Sequence, residues 1–311
     1  MGEKFLRIGP LLLCVFAVML SGCQVCISVG TNDNLTGEDY TNAEKYQTGA
    51  FTYNAADIKA VEVYWRSGEV EITESDDTEL HVRESGGELQ EDAGMHHFLD
   101  DGVLRIRFCK SGAKIAVDAA DKHLSLEVPK GIDISIHTTS ALVKAGDLNQ
   151  NNVLIAALSG STELGTVTAE TVDLSSSSGS IRADSISAQS LKCSAASGAI
   201  DIGAVSAQML ECSTSSGGVT MDGITAETAK ITTSSGSVDL ALTKVPSAEI
   251  YTSGGTVNLV PGKGGAEVLY TSSSGKLLTD RAYDRKGDLY VFGEGTSNIT
   301  VETASGNLKI Q

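Results

Sequence analysis

The chain has 311 residues, a formal net charge of −17, 41% hydrophobic and 5% aromatic residues, and four prolines. An acidic excess of this size excludes nucleic acid as a partner, because that binding relies on Lys and Arg neutralising phosphates. It also excludes simple electrostatic adhesion to anionic lipid.

Residues 1–22 carry Lys4 and Arg7 and then an apolar run from Ile8 to Leu20, interrupted by Gly9-Pro10. The run is short for a membrane span and has the order of a signal peptide. It ends in Leu20-Ser21-Gly22-Cys23, which resembles the bacterial lipobox, where small residues precede a cysteine that is lipidated and becomes the mature N-terminus. On this reading Cys23 carries a lipid that holds the protein on the outer side of a membrane. The bland alternative is a secretory peptide in which Cys23 is incidental. Removing Lys4, Arg7 and Glu3 leaves 23 − 2 = 21 basic and 40 − 1 = 39 acidic side chains, a net charge of −18. Residues 23–52 are polar and aperiodic beyond Thr31, which predicts a flexible tether.

The folded part is expected over 53–311. Within it, 53–140 reads as irregular first coils and a cap. Val61-Glu62-Val63-Tyr64-Trp65, Val70-Glu71-Ile72, Leu80-His81-Val82 and Leu104-Arg105-Ile106 alternate apolar and polar residues, the period of a strand with one buried face. Residues 85–102 read as a charged loop.

Residues 141–262 are regular. A Ser/Thr-rich run, a glycine and an alternating strand recur every 19 residues, anchored on Gly160, Gly179, Gly198, Gly217, Gly236 and Gly255. A constant period of this length indicates a solenoid. Aligning the repeats gives apolar columns, such as Ile155, Leu174, Cys193, Cys212, Ile231 and Ile250 before the glycine, and Thr162, Ile181, Ile200, Val219, Val238 and Val257 after it. Each coil is therefore expected to hold two short strands meeting at a Ser-Gly corner, with a further corner or short third strand at Ala169, Ala188, Ala207 and Ala226. The corner glycine implies either positive φ or no room for a Cβ. Residues 263–311 read as closing coils, with Ser274-Gly275 and Ser305-Gly306 repeating the corner. The fold class is all-β: a right-handed parallel β-solenoid of 19-residue coils, capped at its N-terminal end by less regular β structure.

VEVYWRSGEVEI at 61–72, LSLEVPKGIDI at 124–134, the repeated Ser-Ser-Gly phrases and ITVETASGNLKI at 299–310 resemble the bacterial DUF4097 family of β-repeat proteins, described as candidate adhesins. The resemblance covers about 57–311. It implies a β-solenoid of the cell envelope and brings no catalytic residues with it. Ala141 departs from the pattern by replacing the corner glycine of the first regular coil.

Asp184, Asp201, Asp222 and Asp239 fall near one corner of successive coils and are weak candidates for calcium. They alternate between two positions and have no recurring basic neighbour, which argues against a polysaccharide-cleaving site. His96-His97 lies among Asp92, Asp100 and Asp101, so a metal site competes there with a solvated charged loop; adjacent residues of an extended chain point apart, and the solvated loop is the expectation. Cys193 and Cys212 are expected as buried apolar fillers, with Cys26 and Cys109 as a conceivable bridge between tether and domain. No catalytic residue, cofactor or metal is assigned. The expected function is non-enzymatic: a lipid-anchored, extracytoplasmic binding or structural surface, with the membrane reached through its lipid and an envelope protein or glycan as ligand. The alternatives are an envelope-stress sensor that binds a membrane partner, and a polysaccharide-active enzyme.

Overall fold

The computed structural model describes residues 39–86, 91–113 and 122–311. Cys23, the apolar segment before it and Cys26 lie outside the described residues. No helix among the described residues is long and apolar enough to cross a membrane. All the strands join one continuous hydrogen-bonded sheet, wound as a β-solenoid.

The regular coils are strands of 15 residues, Thr162–Ser176, Ile181–Ala195, Ile200–Thr214 and Val219–Thr233. Neighbours pair in parallel, and residues 19 apart, such as Val172 and Leu191, stand directly above one another. Pairing pauses only at Gly165/Asp184 and Glu170/Gln189, so each coil has three sides, at 162–164, 166–169 and 171–176, closed by the Ser-Gly corner. The structure thus replaces two short strands by one long, bent strand. Because the inter-coil hydrogen bonds run along the stack, a bend repeated at the same place in every coil costs the ladder little.

The inward residues form dry columns. The two arms contribute those legible in the repeat, and the third side adds Val167, Ile186, Val205 and Ile224, all buried. Burying each such side chain is worth about 1.5–3 kcal/mol, so every coil stabilises its neighbours by the same local means.

The corner glycines are required by close approach. None of Gly160, Gly179, Gly198, Gly217, Gly236 or Gly255 has positive φ. A Cβ on Gly198 would lie 1.9 Å from the carbonyl oxygen of Gly179, and one on Gly236 would lie 1.8 Å from that of Gly217. Ala141 is accommodated above Gly68, whose φ of +85° sets it apart from the other glycines of this column. Beneath the corners, buried Thr214, Thr233 and Thr252 accept hydrogen bonds of 3.0 Å from the N–H groups of Gly217, Gly236 and Gly255. These hydroxyls satisfy backbone donors that water cannot reach.

The first and last coils in sequence are not the ends of the stack. Ala60–Trp65 lies between Val103–Arg107 and Asp133–Thr138. Correspondingly, Asn298–Thr303 lies between Ser247–Thr252 and Gly265–Ser272. The final strand Leu308–Ile310 is likewise held between Val257–Val260 and Leu277–Thr279. Following this side of the sheet from Val103–Arg107 to Gly265–Ser272 passes eleven rungs, a rod of about 48 Å at the usual strand spacing.

Antiparallel strands close the N-terminal end. His96–Asp100 covers Val103–Arg107, and Glu79–Ser85 covers His123–Pro129. Residues 39–52, expected to be flexible, pack on this cap. Tyr40 is buried and donates its hydroxyl to the Cys109 carbonyl at 3.2 Å. Its ring lies 4.7 Å from Tyr46 and 5.1 Å from the Arg107 guanidinium, which in turn stacks 3.8 Å from Tyr64. The polar composition of the segment concealed this role, because a few aromatic rings are enough to dock it. Inside the cap the Lys122 ammonium is buried. It pairs with Glu84 at 2.7 Å, donates to the carbonyls of Ala93 and Phe108, and lies 4.7 Å from the Trp65 ring. A buried charge is tolerated only with such partners.

Candidate functional site

The third side of the rod bends at both of its ends, and small residues, half-buried against the core, occupy one of these bends. Ala169, Ala188 and Ala207 stand in register along it, flanked by a row of exposed hydroxyls from Thr168, Ser187, Ser206 and Thr225. With Gln189 and Gln208 they line a groove of about 570 Å³ that runs along the rod to Lys244 and Pro246. Beyond these two residues a second hollow of about 660 Å³ continues, lined by Lys263, Thr296 and Ser297 among others. The alanines create the groove, since a longer side chain at those positions would fill it. Its chemistry is mainly that of hydroxyl and amide groups repeating at the coil spacing of about 4.8 Å, with Glu227 and Lys244 as its charged members, which suits an extended polar chain lying along the axis.

The four aspartates lie elsewhere and are not brought together. Asp201 stands between Arg182 and Thr220, and Asp239 between Thr220 and Asn258, whose amide donates to it. Asp184 and Asp222 occupy the neighbouring column, separated by the coil of Gly203. Carboxylates of one column are thus two coils, about 9.6 Å, apart. Among the described residues no group of three or more His, Cys, Asp or Glu side chains is placed to hold a metal ion.

Instead, the two flat faces neutralise their own charges. Lys144, Glu163, Arg182 and Asp201 follow one another in one column, and Asp173, Lys192, Glu211, Lys230 and Glu249 in another. Opposite charges directly across a strand pair are stabilising and like charges are not. Burial pushes the Asp173 carboxyl above its usual range, with Lys192 opposing the shift.

His96 and His97 correct the expectation of a solvated loop. Both are buried in the strand His96–Asp100. His97 stacks on Phe51 at 3.7 Å and meets Tyr53 edge-on at 5.9 Å, while His96 Nδ1 lies 2.9 Å from the Gly94 carbonyl. Gln47–Thr48 pairs with this strand and helps to exclude water. Burial, with a smaller contribution from His96, holds the His97 pKa down at about 4.

Cys193 and Cys212 stand one above the other, fully buried as free thiols. Burial pushes Cys212 up to about 12 and raises Cys193 well above the ordinary thiol value. As a thiolate is the reactive form, both act as core filler. Cys109 is also buried and free, its pKa raised by burial.

Several solved structures are similar over 86% of this chain, among them these three. One is a protein described as lipid binding from Parabacteroides distasonis, with 17% identity, 97% of that chain covered and a TM-score of 0.48. Another is a candidate adhesin from Bacteroides fragilis, with 11% identity, 98% covered and a TM-score of 0.43. The third is a candidate cell adhesion protein from Clostridium sporogenes, with 10% identity, 99% covered and a TM-score of 0.20. No curated protein matches. The family model for Toastrack DUF4097 matches residues 58–311, which is nearly the whole solenoid with its cap, and the chain belongs to that family.

Proposed function

We propose that this protein is a lipid-anchored, non-enzymatic rod on the outer side of the cell envelope, which binds an extended envelope polymer along its third side. The observation that carries the reading is the groove, in which hydroxyl and amide side chains repeat with the coils over a floor of alanines. The entry of the chain supports the anchoring. Cys23 precedes Asp39 by 16 residues, at most about 55 Å of extended chain, and residues 39–52 dock on the N-terminal cap. The capped end would face the bilayer, with the groove running away from it. The names of the structural matches, candidate adhesins and a lipid-binding protein, are compatible with a surface role.

The buried core of the described residues lies within 40–310, so residues 24–311 without lipid suit a binding test. Saturable binding to isolated envelope polysaccharide is expected, insensitive to EDTA, and reduced about tenfold or more by Ala207→Trp, which fills the groove. Undiminished binding by that folded variant, or turnover of the polysaccharide, would overturn the reading.

A further inference from the structure

The regular coils avoid stacking like charges on one another, but one like-charged pair recurs at the repeat spacing. Lys244 and Lys263 are 19 residues apart and so share a repeat position in the sequence, while Asn298–Thr303 enters between the strands that follow them. That position is held by the hydroxyls of Thr168, Ser187, Ser206 and Thr225 in the four coils before them. Both lysines are exposed, both line the hollow at the end of the groove, and no acidic residue lines it with them. Neither ammonium has an ion-pair or hydrogen-bond partner among the described residues. Two like charges lining one hollow repel each other, whereas the charged columns of the flat faces alternate in sign. The two exposed ammonium groups are thus open to an anion from outside the chain.

The surroundings fit such a ligand. Residues 262–311 carry six basic and six acidic side chains, whereas residues 1–261 carry 17 and 34, so the entire net charge of −17 lies before the hollow. An anion repelled by most of the rod meets a neutral end there. Hydroxyls of Thr243 and Ser297 line the same hollow and supply donors beside the two ammonium groups, while that of Thr296 donates to the Gly265 carbonyl at 3.4 Å. Pro246 and Pro261 form part of its wall and limit the backbone freedom of the two lysine-bearing turns.

We propose that this hollow binds the carboxylate or phosphate groups of an acidic envelope glycan whose uncharged stretch lies along the alanine-floored groove. The proposal rests on the groove reading above and adds the charge of the ligand and the residues that select it. Lys244 and Lys263 supply the attraction, and the neighbouring hydroxyls complete the hydrogen bonding to the oxyanion.

Calorimetric titration of residues 24–311 tests it with four probes: an oligogalacturonate for carboxylate, a glycerol-phosphate oligomer for phosphate, a neutral dextran oligomer, and an oligoglutamate peptide. At least one acidic saccharide or polyol phosphate should bind about tenfold or more tightly than dextran, and the two anionic arms identify the group. The double variant Lys244→Gln/Lys263→Gln should lose that preference, so that the acidic oligomers bind no more tightly than dextran, and should stay folded with a urea midpoint no lower than that of the parent protein. Lys244→Arg/Lys263→Arg should retain it. Equal binding of dextran and the acidic oligomers, or an unchanged preference in the Gln variant, overturns the anion site and leaves the groove standing. Tighter binding of oligoglutamate than of either anionic oligomer overturns the glycan assignment. Failure of all four probes and of isolated polysaccharide to bind the folded protein overturns both readings.

Discussion

The middle of the rod and its two ends are built on different principles. In the middle, each coil pairs with the coils immediately before and after it in sequence, 19 residues away. At the ends, chain order and spatial order part: Ala60–Trp65 and Asn298–Thr303 are both interior rungs, enclosed by segments that follow or precede them. A solenoid made only of sequential repeats would fray from its terminal coils, which have one neighbour each. Here the coils nearest the chain termini have two neighbours each, and the outermost rungs are connected on both sides to chain held further in.

The largest expected effect comes from breaking this interlock. Deleting residues 297–311 removes an interior rung and separates Ser247–Thr252 from Gly265–Ser272. The loss should exceed about 4 kcal/mol in urea unfolding and should unfold residues 265–293 together with it. A terminal repeat of a sequential solenoid would be lost without that consequence.

In the middle, the sharpest point of vulnerability is the corner. Gly217→Ala places a Cβ 1.9 Å from the Gly198 carbonyl oxygen, so two coils must separate, at a cost of about 3 kcal/mol. Gly218→Ala, one residue on, meets Ser237 Oγ at 3.4 Å and should cost no more than about 0.5 kcal/mol. Urea midpoints of the two variants make the comparison within a single turn.

The cap differs from the middle in its response to acid. His97 is held neutral, with a folded pKa of about 4 below an ordinary value of 6.5. The folded state therefore binds fewer protons than the unfolded state between those values. The stability this represents is fully present above pH 6.5, falls as pH drops from 6.5 towards 4, and is gone below that. Burial shifts His137 in the same direction. All five histidines precede residue 138, so this response belongs to the N-terminal coils. Fluorescence of Trp65, the single tryptophan and fully buried in that region, should report a lower urea midpoint at pH 5 than at pH 7, and His97→Phe should reduce the difference.

How much of this was legible in the sequence follows the same division. The coil length, the inward columns from Val153 to Leu259 and the corner glycines could be read directly, because in a sequential stack one-dimensional spacing is three-dimensional neighbourhood. The third inward column, Val167 to Ile224, recurs at the same 19-residue spacing but contributes one large apolar residue per coil, a weaker signal than the alternating arms on either side. The lysine pair at 244 and 263 has the same spacing but only two members, too few to mark a column. The threading of the ends was not legible, since nothing in Ile299-Thr300-Val301 records which two coils it separates. The burial of His96 and His97 depends on Phe51 and Gln47–Thr48 packing over them, a long-range contact made by a segment whose local composition is that of a tether.

The measurement that tests the central claim most directly is native-state hydrogen exchange across residues 39–311, resolved by peptide. The interlocked arrangement predicts that Asn298–Thr303 and Leu308–Ile310 exchange as slowly as the middle coils, and more slowly than the outermost hairpin at 284–293. Rapid exchange of 298–310 at the rate of a frayed terminus, with slow exchange confined to 153–259, would contradict it.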